Sequence, residues 1–330
     1  MKMTAMAARR SARSAGLACA LIGLMWSTAA VVDSYPDRPV TIVVPYTPGG
    51  STDILGRYEA DLLQRELHQT FVVENRPGAG SAIGVGYVAK SAPDGYTLLH
   101  APTSLVLLPY LMKSVSYDPV ADLDPIVLTG LTEFSLVVSP SLNVKSVADL
   151  IALAKAKPGA LTYASAGIGT PHQLFAELFK SMANLDIRHI PYKGAMPGLL
   201  DVAAGNVSME FVDLAPALPL IQSGKLKILA LTADKRSKDM PNVPTISETV
   251  PGYEANGWQG LFARAGTPKY IVNKLNEIVD VDLRRPETAE RLKVMGIDAQ
   301  GDTPQQFAAF IAAESAKWGK VIHGAGITPQ

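Results

Sequence analysis

Residues 40–67 read "VTIVVPYTPGGSTDILGRYEADLLQREL". The opening "VTIVVPY" is apolar and β-branched, as a buried strand requires. The closing "ILGRYEADLLQREL" spaces Ile54, Tyr58 and Leu62 at helical intervals. Between them lies "TPGGSTD", residues 47–53, with two adjacent glycines. Glycine loses more chain freedom on folding than other residues, so paired glycines at a strand-to-helix junction raise the question of what needs bare backbone there. Strand, glycine loop and helix together read as the first unit of an α/β fold.

Working outward, the alternation repeats. "FVVEN" is a second strand, "SAIGVGYVAKSA" a helix and "YTLLHA" a third strand after the turn "PDG". Strands at "FSLVVS", "LTYASA", "IRHIPY", "VSMEFVD" and "LKILALTA" then alternate with helices at "SVADLIALAKAKP", "HQLFAELFKSMA", "AMPGLLDVAAG" and "APALPLIQSG". Such a pattern predicts parallel sheets covered by helices on both faces. Two series imply two lobes, and the tail adds a strand-like "WQGLFARAG" and three helical segments. The reading assigns residues 35–138 and 247–330 to lobe 1 and residues 139–246 to lobe 2, with the C-terminal helix able to bridge them. Two crossings between lobes would form a hinge.

A chain of 330 residues, 48% hydrophobic and 18% charged, can build two cores and is not of disordered composition. Thirty basic and thirty acidic residues leave no basic field to recruit nucleic acid. Residues 1–30 place Lys2, Arg9, Arg10 and Arg13 before "AGLACALIGLMW" and the small residues "STAA", which is the order of a signal peptide cleaved after Ala29 or Ala30. An uncleaved membrane anchor is the alternative. Cleavage removes Cys19, the only cysteine, and with it disulfides and thiolate chemistry. It leaves 26 basic against 30 acidic residues in the mature chain.

Open α/β sheets bind ligands beyond the carboxyl ends of their strands. Two glycine-rich loops hold that position: "TPGGSTD" and "SAGIGTPHQ", residues 165–173. In the second, Thr170 as N-cap, Pro171 as first helical residue and Gln173 three positions after the cap predict a capping box. A helix N-terminus with unpaired N–H groups suits an anion, so a carboxylate held between the two loops needs no arginine. Two plain tight turns are the alternative. Asp53 reads as an organiser of its own loop, with recognition of a ligand ammonium as the alternative. Ser104, Asp213 and Trp258 follow other strands and are cleft candidates. Asp213 could instead cap the next helix, and Glu210 alternates to another face.

Gly78, Gly80 and Gly84 resemble a stretched dinucleotide fingerprint, but the spacing is wrong, and close helix–strand packing explains them better. No Gly-x-Ser-x-Gly elbow, Walker loop or His-Glu-x-x-His motif occurs. The five histidines lack metal-ligand spacing; His172 could contact a ligand or serve as cap or packing, and His100 is a weaker pocket candidate. No cofactor is expected.

Read as a whole, "YPDRPVTIVVPYTPGGSTD", "VVENRPGAGSAIG", "PDGYTLL", "LTYASAGIGTPHQLFAELF", "HIPYKG", "GKLKILALT", "VPTISE", "PGYEANGWQGLFARAGTP" and "KWGKVIHGAGI" resemble, in order, the TctC or Bug family of tripartite tricarboxylate transporter binding proteins. The resemblance implies a two-lobed type II periplasmic-binding-protein fold, a Venus flytrap closing over a small carboxylate. It implies contacts at Tyr46, Pro48, Gly49, Gly50, Ser51 and Asp53, and at Ser165, Gly167, Gly169, Thr170 and His172. Departures occur at Tyr46-Thr47-Pro48, "LLHAPTSLVLLPYL" and "MEFVDLAPALP", which bear on the choice of ligand.

The function so read is a periplasmic, monomeric receptor, not an enzyme, that takes a di- or tricarboxylate or an aromatic acid to membrane transporter subunits. A periplasmic sensor shares the same capture step. An α/β enzyme using His172 or His100 as general base is the rival from another class.

Overall fold

The computed structural model describes residues 35–237 and 239–329. Residues 1–30, read from the sequence as a signal peptide, lie outside the described residues together with Cys19. From Arg38 onward the chain is one compact unit containing two sheets.

The elements run β1 (Val40–Val44), α1 (Ser51–Leu67), β2 (Phe71–Asn75), α2 (Ala82–Ala89), β3 (Thr97–Pro102), α3 (Ser104–Leu111), β4 (Leu123–Thr132) and β5 (Phe134–Val138). They continue with α4 (Val147–Ala156), β6 (Thr162–Ser165), α5 (Pro171–Ala183), β7 (Arg188–Pro191), α6 (Ala195–Ala204), β8 (Met209–Asp213), α7 (Leu214–Gln222) and β9 (Lys227–Leu231). The last are β10 (Gly257–Arg264), α8 (Lys269–Leu283), α9 (Pro286–Val294), β11 (Ile297–Ala299) and α10 (Pro304–Gly324). β1 pairs in parallel with β2 from Val40↔Phe71 to Val44↔Asn75, so the strand, glycine loop and helix form as expected.

The six-stranded sheet has the order β11-β4-β10-β3-β1-β2, and the five-stranded sheet β7-β6-β8-β5-β9. Neither is wholly parallel, which corrects the sequence expectation. β10 runs antiparallel to β3 and β4, and β5 antiparallel to β8 and β9. β11 also runs antiparallel to β4, while β5 and β10 are each the first strand built after the chain arrives from the other sheet. β4 ends at the carboxyl edge of its sheet, and a single residue, Glu133, separates it from β5. The chain therefore enters the second sheet at that sheet's carboxyl edge and must run backwards. Phe134–Val138, read from sequence as part of lobe 1, pairs within the second sheet.

α10 touches both sheets' layers. Phe307 lies against Phe262 with ring centroids 5.0 Å apart, and an added Cβ at Gly260 would meet Phe307 at 2.3 Å, so glycine is needed where the helix rests on β10. Further along, Trp318 stacks on Phe175 of α5 at 5.3 Å, and Tyr110 Oη of α3 pairs with Ser315 Oγ at 3.1 Å. Trp318 is fully buried, and its Nε1 donates to Glu314. Trp318→Ala is expected to cost about 3–5 kcal/mol in denaturant unfolding, the range for a buried aromatic removed from a packed core. A cost under about 1 kcal/mol would show that α10 does not secure the second sheet.

Candidate functional site

The first loop is built around Asp53. Its Oδ2 accepts from the Gly49 N–H at 2.9 Å and from Arg57 Nε at 3.0 Å, while Oδ1 accepts from Asn75 Nδ2 at 2.8 Å. Burial opposes the charge, but the bonds from Arg57, Gly49 and Asn75 and the Arg57 charge outweigh it and hold the carboxyl below its ordinary pKa. With both oxygens engaged, Asp53 shapes the loop. The N–H groups of Ser51, Thr52 and Asp53, in the first turn of α1, have no hydrogen-bond partner among the described residues, and Gly50 at the N-cap offers no side chain.

Gly49 has φ of +95°, which favours glycine. Gly50 is different. Its φ is −82°, and an added Cβ would meet nothing within 4 Å. Neither conformation nor internal packing requires a glycine at that position. Pro48 and Ser51 are exposed beside it. Ser51 Oγ accepts from Gln259 Nε2 at 3.0 Å, and Gln259 Oε1 lies 3.3 Å from His100 Nε2. His100 Nδ1 is 2.8 Å from Glu59, which accepts from Thr129 at 2.5 Å. His100 thus has both nitrogens engaged inside the core, which argues against it as a free base.

Tyr46 Oη lies 2.7 Å from Ser104 Oγ, and Ser104 Oγ 3.2 Å from Ser81 Oγ. Burial raises the Tyr46 phenol, with the Ser104 and Ser81 bonds partly opposing. Ser81 escaped the sequence reading. It ends a run, Gly78 to Ser81, in which every residue has positive φ. Gly84 approaches Arg76 O and Pro45, as close packing implies, while Gly78 and Gly80 serve that turn.

In the second loop Gly167 and Gly169 have φ of +131° and +79°. Thr170 occupies the N-cap with Pro171 after it, but the capping box is absent. Thr170 Oγ1 donates to Gly167 O at 2.7 Å, and Gln173 Oε1 accepts from Gly169 N at 2.7 Å, so both side chains tighten the loop. Ser165 Oγ accepts from Gly167 N at 3.1 Å and contacts His189 Nε2 at 2.6 Å. The N–H groups of Ile168 and His172 have no partner among the described residues.

His172, the second residue of α5, packs edge-on to Phe134 at 5.3 Å. It is 8% exposed, and neither ring nitrogen makes a hydrogen bond. Its Nε2 is 3.3 Å from Asp213 Oδ2, ion-pair range without hydrogen-bond geometry. Leaving a buried polar atom unpaired costs about 1–3 kcal/mol. Asp213 makes no side-chain cap for α7. Glu210, three residues earlier, is fully buried with neither oxygen bonded; burial and then the Asp213 charge push its pKa up to about 8. Trp258 is placed in the core against Phe262, Phe307 and Phe310, with its backbone groups bonded to Thr103.

The two sheets join at the crossings. Leu214 N donates to Glu133 O at 2.9 Å, Phe134 pairs with Asp213, and an added Cβ at Gly257 would lie 3.0 Å from the Phe134 ring. α3 links the loops directly. Ser104 at its start holds Tyr46, and Leu111 at its end lies against Gly169, about 10 Å along the helix axis. Two surface concavities lie elsewhere. One of about 390 Å³ is lined by Ile83, Tyr87 and Met112, and one of about 210 Å³ lies between α1 and α8. Both open to solvent and include none of the uncommitted donors, so loop chemistry is the better guide to the site.

Comparison with known proteins follows the same lines. The model for the tripartite tricarboxylate transporter family receptor, TctC, matches residues 55–327. The chain is 37% identical over 315 residues to Protein BugT of Bordetella pertussis, covering 93% of this chain and 97% of that protein. Rpa4515 of R. palustris, solved with adipate, superposes with a TM-score of 0.76 at 38% identity over 90% of this chain and all of that one. MatC of Rhodopseudomonas palustris, with bound malate, gives 0.69 at 29% identity over 87% of this chain and all of that one.

Two stability outcomes test the local geometry. Gly50→Val should leave unfolding free energy within about 0.5 kcal/mol, whereas Gly169→Val, strained at positive φ and 2.9 Å from Leu111, should lose roughly 1–3 kcal/mol. Equal losses would contradict the open surroundings of Gly50. Because the folded state raises the Glu210 pKa, its contribution is intact below about pH 4.5 and is lost as pH rises through about 8. Glu210→Gln should therefore raise the melting temperature at pH 9 and change it little at pH 5, as read by calorimetry. An effect of the same size at both pH values would contradict the burial of an unpaired carboxyl.

Proposed function

The chain belongs to the TctC family of tripartite tricarboxylate transporter receptors, and from that premise we propose that it is a periplasmic receptor capturing a small organic carboxylate for a tripartite transporter. The supporting observation is a set of uncommitted donors. Two glycine-bearing loops, one from each sheet, carry backbone N–H groups without a partner among the described residues, and α3 runs from one loop to the other. Gly50 keeps space there that neither its backbone nor its neighbours need. An anion is stabilised at such helix starts by the partial positive charge of the N–H groups.

Capture proceeds by closure about the crossings at Glu133 and at residues 232–257, with lobe 1 comprising 38–132 and 257–329 and lobe 2 the segment between. A ligand touching both loops favours the closed form because the open form offers about half the contacts. Tyr46, Pro48, Gly49, Gly50 and Ser51 grip from the first loop, with Asp53 holding its shape and Ser104 supporting Tyr46. Ser165, Gly167, Gly169, Thr170 and His172 act from the second, with Asp213 beside them. Neutral donors keep the grip reversible. The adipate and malate bound to two relatives support this ligand class.

The same geometry favours binding over catalysis. Ser165 meets His189, but it is fully buried and tied to Gly167, and the other ring nitrogen faces the amide of Gln173 at 3.4 Å. A serine nucleophile needs exposure and a base oriented by an acceptor. The receptor acts as a monomer.

A thermal-shift screen against di- and tricarboxylates, aromatic acids, amino acids and sugars tests this reading. An acid at 100 times its dissociation constant should add about 2.7 kcal/mol of stability. In Gly50→Val that shift should vanish while the ligand-free melting temperature is kept. Shifts by sugars or cationic amines alone, or an undiminished shift in the variant, would overturn the proposal.

A further inference from the structure

The backbone grip reads only one end of a ligand. Three loops edge the second sheet where the chain crosses: 166–170 after β6, 192–194 after β7 and Asp213–Leu214 after β8. Their one cation, Lys193, is exposed and has no ion partner among the described residues. Beside the crossing residue Glu133, His172 and Asp213 lie 3.3 Å apart. His172 is buried, yet its nitrogens, one donor and one acceptor when neutral, are both unused. Asp213 is one-third exposed at its side chain, and its carboxylate can only accept. The nearby walls are apolar, formed by the Phe134 ring and by Leu111 against Gly169.

Resting on the carboxylate reading above, we propose that His172 and Asp213 form a second recognition site for the ligand's far end, selecting a neutral hydroxyl or carboxamide over a second ionised carboxylate. Such a group donates to Asp213 and accepts from His172, which pairs one of the two unused imidazole nitrogens. A second carboxylate cannot donate and meets the like charge of Asp213 beside apolar walls, where screening is weak. Glu210 reports the same field. Its carboxyl, buried behind Asp213 on β8, is raised first by burial and then by that charge. A site built to pair a polar group rejects an analogue without it more strongly than a site built on apolar contact.

Titration calorimetry of the protein at pH 7.5 with two matched series tests this. The series are adipate, adipic monoamide, 6-hydroxyhexanoate and hexanoate, and succinate, succinamate, 4-hydroxybutanoate and butanoate. In at least one series the amide or hydroxy acid should bind about tenfold or more tightly than both the diacid and the plain acid. Asp213→Asn should erase most of that preference by strengthening the diacid. His172→Leu should weaken the amide and hydroxy acid about tenfold more than it weakens the plain acid, with melting temperatures confirming that both variants fold. The proposal is overturned by diacids binding as tightly as their amides, by plain acids matching the hydroxy acids, or by a preference unaltered in Asp213→Asn. If diacids win and Lys193→Ala removes their advantage, the second carboxylate belongs to Lys193. Binding of diacids alone overturns this inference and leaves the capture reading standing; binding of none of the eight acids counts against both.

Discussion

The chain leaves the first sheet at its carboxyl edge and enters the second after one residue, Glu133. That constraint governs the rest of the structure. A strand begun at the carboxyl edge must run against its neighbours, so β5 is reversed, and on the return journey β10 is reversed for the same reason. It also decides which ends of the sheets meet. The loops after β1 and β6 leave the carboxyl edges, so joining the sheets there turns both loops toward the crossing. A crossing at the opposite edge would have separated the uncommitted donors by the lengths of the strands.

Within that frame, the local chemistry avoids fixed positive charge. Arg57 is the cation nearest the first loop in these contacts, and Asp53 and Asn75 hold it. Its field is spent on keeping Asp53 ionised, and Asp53 in turn fixes the Gly49 N–H, leaving the next N–H groups to face outward. Loop shape and anion affinity are thus divided between different backbone groups. The second loop reaches the same division by other means, with Thr170 and Gln173 tightening the turn while the Ile168 and His172 N–H groups stay uncommitted. A receptor that must release its cargo gains from this, because backbone donors bind an anion less strongly than a buried ion pair does.

Much of this was legible in sequence, and the losses have physical causes. "FVVEN" coincides with β2 because it is a short β-branched run bounded by polar residues. Strand direction left no trace in the periodicity, since hydrophobic alternation is the same whichever way a strand runs. β4 went unread because Pro125 and Gly130 interrupt it, and its partner β10 accommodates bulges at Gln259/Gly260 and Leu261/Phe262. α3 was missed because "SLVLLPYL" is apolar all round and holds Pro109, so it shows no helical stripe; it is buried between the loops and α10. Position between a strand and a helix located both glycine loops. It could not show that Thr170 would turn its hydroxyl to Gly167, a choice set by loop geometry. Trp258 failed as a cleft residue because β10 turns its side chain onto α10.

The packing that joins the two sheets also shows where motion is easiest. Phe134, the first residue after the crossing, packs on Phe175 at 4.8 Å, and Phe175 on Trp318 at 5.3 Å. This aromatic run is fully buried or nearly so and starts at the hinge residue itself. Pulling it apart would expose large apolar area, and a buried aromatic side chain is worth about 1.5–3 kcal/mol in transfer alone. α3 adds to the same seam: Leu111 is buried, and an added Cβ at Gly169 would meet it at 2.9 Å, so its approach to the second loop depends on that glycine. A rotation that pivots on the aromatic run keeps that area buried, whereas one that separates the sheets at α10 exposes it.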